Sequence, residues 1–411
     1  MKKQGKLPLP KWYDPKLIGN PFFQPNPIMI RDEAYAIAKK YGVTTATQDK
    51  FRVLIIDIDL EPDFTWPFTT INPETGIVSR HLSPIFKGRP GAEIPDWWNK
   101  GPNHFLWMDE KFNPGDFVSV VGGRLSVTGA WNDTRRQTEW DLANTHRITA
   151  RIASFDKHPL TMRCDMHFYE ARANNPYGLP VGAHPHNFMD GPTEMFPKIT
   201  PESLWHPKFN PEGWWTPLAL NARDLDEIWF YAKTVRVIYL WNMHCPSHTG
   251  GSIMDPVVMA TIMHHHFMRG RIAAEPFWIE KGKSWRVDAL GMHKSEYAIT
   301  GDPLTQAVAN IVDIIDCRRE CGERPYDLVV YRGQAKSHCK LKTVTQGIEQ
   351  CVEKGRQDCI EKMVMLDDCS SNIIGFDEAS KKAWNELREK YHLRIETTET
   401  LDLEEEARKA A

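Results

Sequence analysis

Asp327-Leu-Val-Val-Tyr-Arg-Gly333-Gln-Ala-Lys-Ser-His338-Cys339 is followed by Lys340-Leu-Lys-Thr-Val-Thr-Gln-Gly-Ile. The apolar, β-rich run Leu328 to Tyr331 stops near a glycine, and after a five-residue turn a cysteine opens a helical pattern. That order places Cys339 in the first turn of a helix, just beyond the carboxyl end of a buried strand. The unpaired N–H groups and dipole of a helix start favour a thiolate, and ligand sites of open α/β sheets lie at such strand ends. On this stretch alone two readings stand: a cysteine nucleophile, or a small buried helix residue, the commonest fate of an intracellular thiol.

Outward from this stretch the same rhythm recurs. Apolar runs at Arg52 to Ile58, Arg147 to Ser154, Val235 to Trp241, Phe277 to Glu280 and Met363 to Leu366 join Leu328 to Tyr331 as expected strands. Helical patterns fall between them at Trp131 to Asn144, Asp224 to Thr234, Met254 to Arg269, Leu304 to Asp316 and His338 to Lys354. A last amphipathic helix is expected over Asp377 to Tyr391, and a short one over Arg31 to Lys40. Alternating strands and helices predict an α/β fold, with helices on both faces of a doubly wound sheet of about six mainly parallel strands. Residues 1–50 read as an N-terminal arm, 51–397 as the main domain and 398–411 as a tail whose Glu404-Glu-Glu-Ala-Arg-Lys is a frayed helix or disordered. Two segments break the rhythm, 65–120 and 168–222. Both are rich in Pro, Gly, Trp and Asn, and read as ordered insertions pinned by aromatics.

Composition narrows the class. The chain has 411 residues, 41% of them hydrophobic and 26% charged, which is ample material for a globular core. A net charge of −3 argues against nucleic-acid or membrane-surface partners. No apolar run is long enough to span a bilayer, and the start Met1-Lys-Lys-Gln-Gly-Lys lacks a signal-peptide core. The eight cysteines are irregularly spaced, which suits reduced thiols and a cytoplasmic location.

Other strand ends carry candidate chemistry. The first strand runs into Asp57-Ile-Asp59-Leu-Glu-Pro-Asp63-Phe64. Alternation puts Asp57 and Asp59 on one side, and Asp59 at the sheet edge is either an acid–base carboxylate or a loop cap. Lys281, after Phe277-Trp-Ile-Glu, either biases a nearby thiol and carboxylate towards their ions or merely ends a strand. Asp156 and His158, with His244 from Trp241-Asn-Met-His244-Cys245, either supply three ligands of a divalent metal with open positions or are ordinary turn residues. The run His264-His-His266 points its rings about 100° apart and does not chelate as a unit.

Taken in order, Asp59-x-x-x-Asp63-Phe64, Gly122-Gly-Arg-Leu125-Ser-Val127-Thr-Gly129, Asp156-x-His158, Trp241-x-x-His244-Cys245, Lys281-Gly282 and Gly333-x-Ala335-x-Ser337-His338-Cys339 resemble the isochorismatase-like cysteine hydrolases, and among them the nicotinamidase (pyrazinamidase) branch. The resemblance implies a three-layer α/β/α fold with Asp59, Lys281 and Cys339 as the catalytic set. It implies a cis Gln334–Ala335 bond, with the Ala335 and Cys339 N–H groups as an oxyanion hole. Phe64, Trp241 and His338 are its substrate-binding residues, and Asp156, His158 and His244 its metal ligands. The metal would be Zn, with Mn or Fe accepted by the same donors, and no organic cofactor is implied. The activity implied is hydrolysis of a small carboxamide to acid and ammonia through a thioester, nicotinamide to nicotinate being the best single case. Three alternatives remain: a carbamoyl, ureido or larger amide substrate; a non-catalytic binding or assembly protein on this fold; and the vinyl-ether-cleaving isochorismatases, which do without the cysteine. The expected partner is a small-molecule amide, and homo-oligomerisation is left open under each reading. The chain is far longer than a minimal member, and the two insertions follow strands on the site's edge.

Overall fold

The computed structural model describes residues 6–72, 75, 78–82, 105–107, 119–123, 125, 127–159, 198–199, 230–231, 233–235, 238–239, 244–245, 247–270, 277–284, 286–306, 309–317, 324–373 and 375–410. Strands β1 (Val53–Ile58), β2 (Phe68–Ile71), β3 (Val78–Leu82), β4 (Phe105–Trp107), β5 (Ser119–Gly122), β6 (Ala150–Asp156), β7 (Lys198–Ile199), β8 (Ile238–Tyr239), β9 (Phe277–Lys281), β10 (Leu328–Gly333), β11 (Met363–Leu366) and β12 (Arg394–Glu396) fall into three sheets. The main one has the order β12-β11-β10-β1-β6-β9, and every neighbouring pair in it is parallel. From β1 the chain builds outward through β6 and β9, then returns to the other side of β1 with β10, β11 and β12. The winding therefore reverses between β1 and β10, and the crevice beyond their carboxyl ends is where such folds bind ligands. Asp59 leaves β1 at that point, and Cys339 follows β10.

β1, β6, β10 and β11 are buried along their whole length, which is why their sequences read as near-continuous apolar runs. The principal helices are α1 (Pro27–Tyr41), α2 (Pro62–Thr65), α3 (Ala130–Asn144), α4 (Pro256–Arg269), α5 (Ile311–Ile315), α6 (Cys339–Glu353), α7 (Gln357–Glu361), α8 (Asp377–Tyr391) and α9 (Leu403–Lys409). Alternation along β1 divides them between two layers. Leu54, Ile56 and Ile58 face one apolar cluster with Val312 of α5, Val344 of α6 and Trp384 of α8. Val53 and Ile55 face another with Trp140 of α3 and Leu403 of α9. On this second side Trp131 of α3, Val257 of α4 and Ile30 of α1 extend the core beneath β6. The result is a three-layer α/β/α domain.

The differences from expectation have local causes. Of the run Val235 to Trp241, the described Ile238 and Tyr239 pair antiparallel with Ile199 and Lys198 in a separate two-stranded sheet rather than joining the main one, and residues 236–237 and 240–243 lie outside those described. The sixth main-sheet strand is β12, three half-buried residues of the sequence Arg-Ile-Glu that show no apolar run. Leu304 to Asp316 splits into a 3-10 turn, Pro303–Thr305, and α5, because the Asp302 and Asn310 side chains each cap a new start. The tail is ordered: Asp402 caps α9, and Glu404 pairs with Arg147 and His146. Within 65–120, β2 to β5 form a four-stranded sheet of order β4-β3-β2-β5. Most of the 168–222 segment and of the expected helix Asp224 to Thr234 lies outside the described residues.

Beneath the sheet lies a wholly buried ionic network. Arg332 of β10 donates from Nε to Asp57 Oδ1 at 2.6 Å and through both terminal nitrogens to Asp141 of α3. Arg151 of β6 reaches Asp57 at 3.3 Å and Asp141 at 2.9 Å. Asp57 thus serves the sheet and not the strand-end site. Asp59, one residue past the strand with a left-handed φ of 48°, turns the other way. Removing one partner of a buried network strands the others, at about 3–5 kcal/mol. Arg332→Met is therefore expected to lower the urea midpoint by that equivalent, and an unchanged midpoint would show that the network contributes nothing.

Candidate active site

Three strand ends converge at the point where the winding reverses. Lys281, the last residue of β9, is 3% exposed and extends its ammonium across the end of β6. Its Nζ lies 2.9 Å from Asp59 Oδ2, 3.2 Å from Asp156 Oδ1 and 3.6 Å from Cys339 Sγ. Asp59 is fully buried, and its other oxygen accepts from Ser154 Oγ at 2.8 Å while its N–H donates to Ser154 O. Its carboxylate is thereby aimed at the lysine and held there from β6.

The turn that delivers Cys339 depends on Gly333. At φ 106° a side chain is strained, and a Cβ there would lie 2.0 Å from Ile58 O, so only glycine lets β10 close against β1. The Gln334–Ala335 peptide bond is cis. The turn's own hydrogen bonds run from His338 N–H and Lys340 N–H to Ala335 O, at 3.1 Å each, and use neither the Ala335 nor the Cys339 N–H. Both of those residues are buried, and Phe64 joins Ala335 and Ile373 in one apolar cluster. His338 lies beside the cluster, its ring 4.5 Å from that of Phe376 and its Nδ1 2.8 Å from Ser337 Oγ. Trp241 lies outside the described residues.

Asp156, His158 and His244 also meet. Each offers a ligand atom, and these atoms all lie within 4.8 Å of one another. His158 Nε2 is 2.9 Å and His244 Nε2 3.6 Å from Asp156 Oδ2, and the two rings stack edge-on at 4.6 Å. His244 arrives on a loop bonded sideways to its partner: His158 N–H donates to Cys245 O, and Cys245 N–H to Asp63 Oδ2 at 2.8 Å. Gly282, at φ 70°, leaves the wall of this group open, since a Cβ there would meet Asp156 Oδ1 at 2.6 Å. The buried His158 Nδ1 has no hydrogen-bond partner among the described residues. One carboxylate and two imidazoles with an unused buried nitrogen fit a divalent cation of the zinc, manganese or iron type.

The chain resembles solved nicotinamidases. It is 13% identical to the Acinetobacter baumanii nicotinamidase/pyrazinamidase, with 86% of this chain and 98% of that one covered and a TM-score of 0.41. For the yeast nicotinamidase the values are 12%, 84%, 99% and 0.41. An isochorismatase family protein from Desulfovibrio vulgaris gives 10%, 85%, 96% and 0.35. No protein-family model matches the chain, and no curated protein matches it in sequence.

Charge in the site is set by burial and by neighbours. Burial opposes a charge on Lys281, but the Asp156 and Asp59 carboxylates outweigh it and hold the ammonium well above its usual range. Burial raises Asp59; Lys281 works against that shift and Asp156 adds to it. Cys339 departs from the thiolate expected of a helix start. Burial raises the thiol well above its ordinary value, and Asp59 and Asp156 push it further against the pull of Lys281. Burial first, and then the two neighbouring carboxylates, favour the thiol form against the pull of Lys281 and of the helix start.

Sequence reasoning missed several residues that shape this site. Ser154 orients Asp59, and only the β1–β6 register reveals it. Glu61 is fully buried, with neither carboxylate oxygen finding a side-chain hydrogen-bond partner among the described residues. Burial and then Asp59 and Asp156 raise it well above the usual carboxylate range. A glutamate before a proline at a strand end looks solvated in sequence, and nothing local marks it as buried.

Proposed function

We propose that the chain is a cysteine-dependent amidohydrolase that converts a small carboxamide to an acid and ammonia, with nicotinamide as the first substrate to test. The observation that carries this reading is one buried ammonium touching Asp59, Asp156 and the Cys339 sulfur at 2.9, 3.2 and 3.6 Å. A carboxylate and a thiol are thus held together with a cation that stabilises whichever of them is ionised.

In the reaction Asp59 takes the Cys339 proton as sulfur attacks the carbonyl carbon. Negative charge moves to the carbonyl oxygen, where the Ala335 and Cys339 N–H groups are free to donate to it. Asp59 returns the proton to nitrogen, the C–N bond breaks, and ammonia leaves a Cys339 thioester. Water then gives a proton to Asp59 and adds to the thioester carbon; sulfur departs and is reprotonated, releasing the acid. Burial that favours the thiol form of Cys339 fits this cycle, since the thiol proton is the one the leaving group needs. Phe64, in one apolar cluster with Ala335, and His338 at the turn are the residues proposed to face a flat acyl group.

Asp156, His158 and His244 would hold a divalent cation whose open positions supply a Lewis-acid site for a substrate lone pair. A basic ring nitrogen meta to a carboxamide is a substrate feature that could use both sites at once. The purified protein is expected to contain about one divalent ion per chain by elemental analysis, and His244→Ala to lose most of it. A metal content equal in the two proteins would remove His244 from the ligand set.

The deciding measurement is ammonia release across a panel of nicotinamide, pyrazinamide, ureido and larger aliphatic amides. Turnover of nicotinamide supports the reading as stated, while preference for a ureido or larger amide keeps the chemistry and moves the substrate. Absence of turnover on every member, with a Cys339 thiol inert to electrophiles, favours a binding protein on this fold. Among the described residues no helix is long and apolar enough to cross a membrane.

A further inference from the structure

The Gln334 side chain is wholly buried beneath the turn and is held at both ends. Its Nε2 donates to Asp133 Oδ2 of α3 at 3.0 Å, and its Oε1 accepts from Ser371 N–H at 3.1 Å. Ser371 Oγ closes the ring by donating to the same Asp133 Oδ2 at 2.6 Å, and Ser371 O accepts from Lys336 N–H at 2.8 Å. The Gln334 N–H is itself fixed to Ile58 O at 2.7 Å. The peptide between Gln334 and Ala335 is therefore clamped from β1, from α3 and from the loop after β11. Its nitrogen carries one of the two N–H groups that the hydrolase reading assigns to the oxyanion hole.

A buried, fully satisfied polar ring of this kind contributes little net stability compared with apolar residues of the same volume, but it fixes direction closely. Apolar packing with Ile373 and Phe64 would fill the same space without orienting the peptide. We infer that Asp133 is a positioning residue of the oxyanion hole, acting through the Gln334 amide and Ser371 to aim the Ala335 N–H at the carbonyl oxygen. This inference rests on the hydrolase reading above.

Both hydrogen bonds end on one oxygen of Asp133, which makes the role separable from its charge. Asn at 133 can place its carbonyl oxygen there and keep both bonds, giving up only the contact with Arg136 at 3.7 Å. Ala keeps neither. On the best amide of the panel, Asp133→Ala is expected to lower kcat about 10- to 100-fold with KM within about threefold, and Asp133→Asn to stay within about threefold of the parent. An aldehyde analogue of that amide, whose Cys339 adduct places an oxygen in the hole, should lose affinity in the same proportion as kcat/KM. Alkylation of Cys339 by iodoacetamide, followed on its own peptide, needs no oxyanion donor and should proceed at the parental rate. Should Asp133→Ala fail to fold, Ser371→Ala removes only the 2.6 Å bond and is expected to lower kcat about 3- to 10-fold.

An unchanged kcat in Asp133→Ala overturns the positioning role, as does an Asn variant as impaired as the Ala variant. Slowed alkylation in step with kcat overturns it too, by showing general disruption of the site. A parent chain that hydrolyses no amide fails the hydrolase reading instead and takes this inference with it.

Discussion

Cys339→Ala is expected to abolish ammonia release from every amide that the parent protein hydrolyses, by at least about four orders of magnitude in kcat. In the proposed cycle the Cys339 sulfur, 3.6 Å from the Lys281 ammonium, carries the acyl intermediate. Stability should change little, because the substitution removes one atom from a position that is 5% exposed and bounded by polar neighbours on one side. Thermal unfolding within a few degrees of the parent would thus separate loss of chemistry from loss of fold. The variant should also trap substrate without turning it over, so that binding of the amide is measurable directly. Residual turnover above about one per cent would place the nucleophile elsewhere and leave Cys339 as an ordinary buried thiol. Cys339→Ser tests the same point more gently. A hydroxyl is a poorer nucleophile beside a carboxylate and no imidazole, and it should fall close to the alanine variant.

The legible parts of this molecule are those whose physics is local. β1, β10 and β11 are buried on both faces, so each carries a near-continuous apolar run, and their ends announce themselves by a glycine or a polar turn. Because ligand chemistry gathers at carboxyl ends of parallel strands, Asp59, Lys281 and Cys339 could be singled out before their spatial relation was known. What escaped was decided by tertiary contact. β12 sits at an edge, where Arg394 and Glu396 suit solvent and a single isoleucine suffices. Val235 to Trp241 has strand chemistry, but local apolarity does not say which sheet a segment joins, and the part described pairs with Lys198–Ile199. His244 still reaches Asp156, because the Cys245 carbonyl docks on His158 N–H in place of a strand end. The left-handed turn at Asp59 separates it from Asp57, which strict alternation had placed beside it. The forces on the Cys339 thiol are divided in the same way: a helix start is visible in sequence, but the burial that favours the thiol form and the two carboxylates that add to it come from tertiary contact.

Lys281→Met removes the one cation that faces both Asp59 and Asp156 among the described residues, and its effects should be large in two separate quantities. With the ammonium gone, two buried carboxylates confront each other beside a thiol, with Ser154 still donating to Asp59 and the His158 and His244 rings still beside Asp156. Leaving such charges unpaired costs about 3–5 kcal/mol, which should appear as a lowered urea midpoint. Asp59 would relieve the repulsion by retaining a proton, and a protonated Asp59 cannot accept one from Cys339. Activity should therefore fall by about a thousandfold or more, beyond any effect of partial unfolding. Asp156→Asn in the same chain distinguishes the two losses. Neutralising one carboxylate should restore much of the stability lost in Lys281→Met, since the repelling pair is gone, while turnover stays low, because nothing holds Asp59 ionised and a proposed metal ligand is altered as well. If the double variant instead recovers activity along with stability, the lysine acts only as a structural counter-charge. If neither variant shifts the urea midpoint, the contacts at 2.9 and 3.2 Å do not exist in solution, and the charge arrangement on which the proposed cycle depends falls with them.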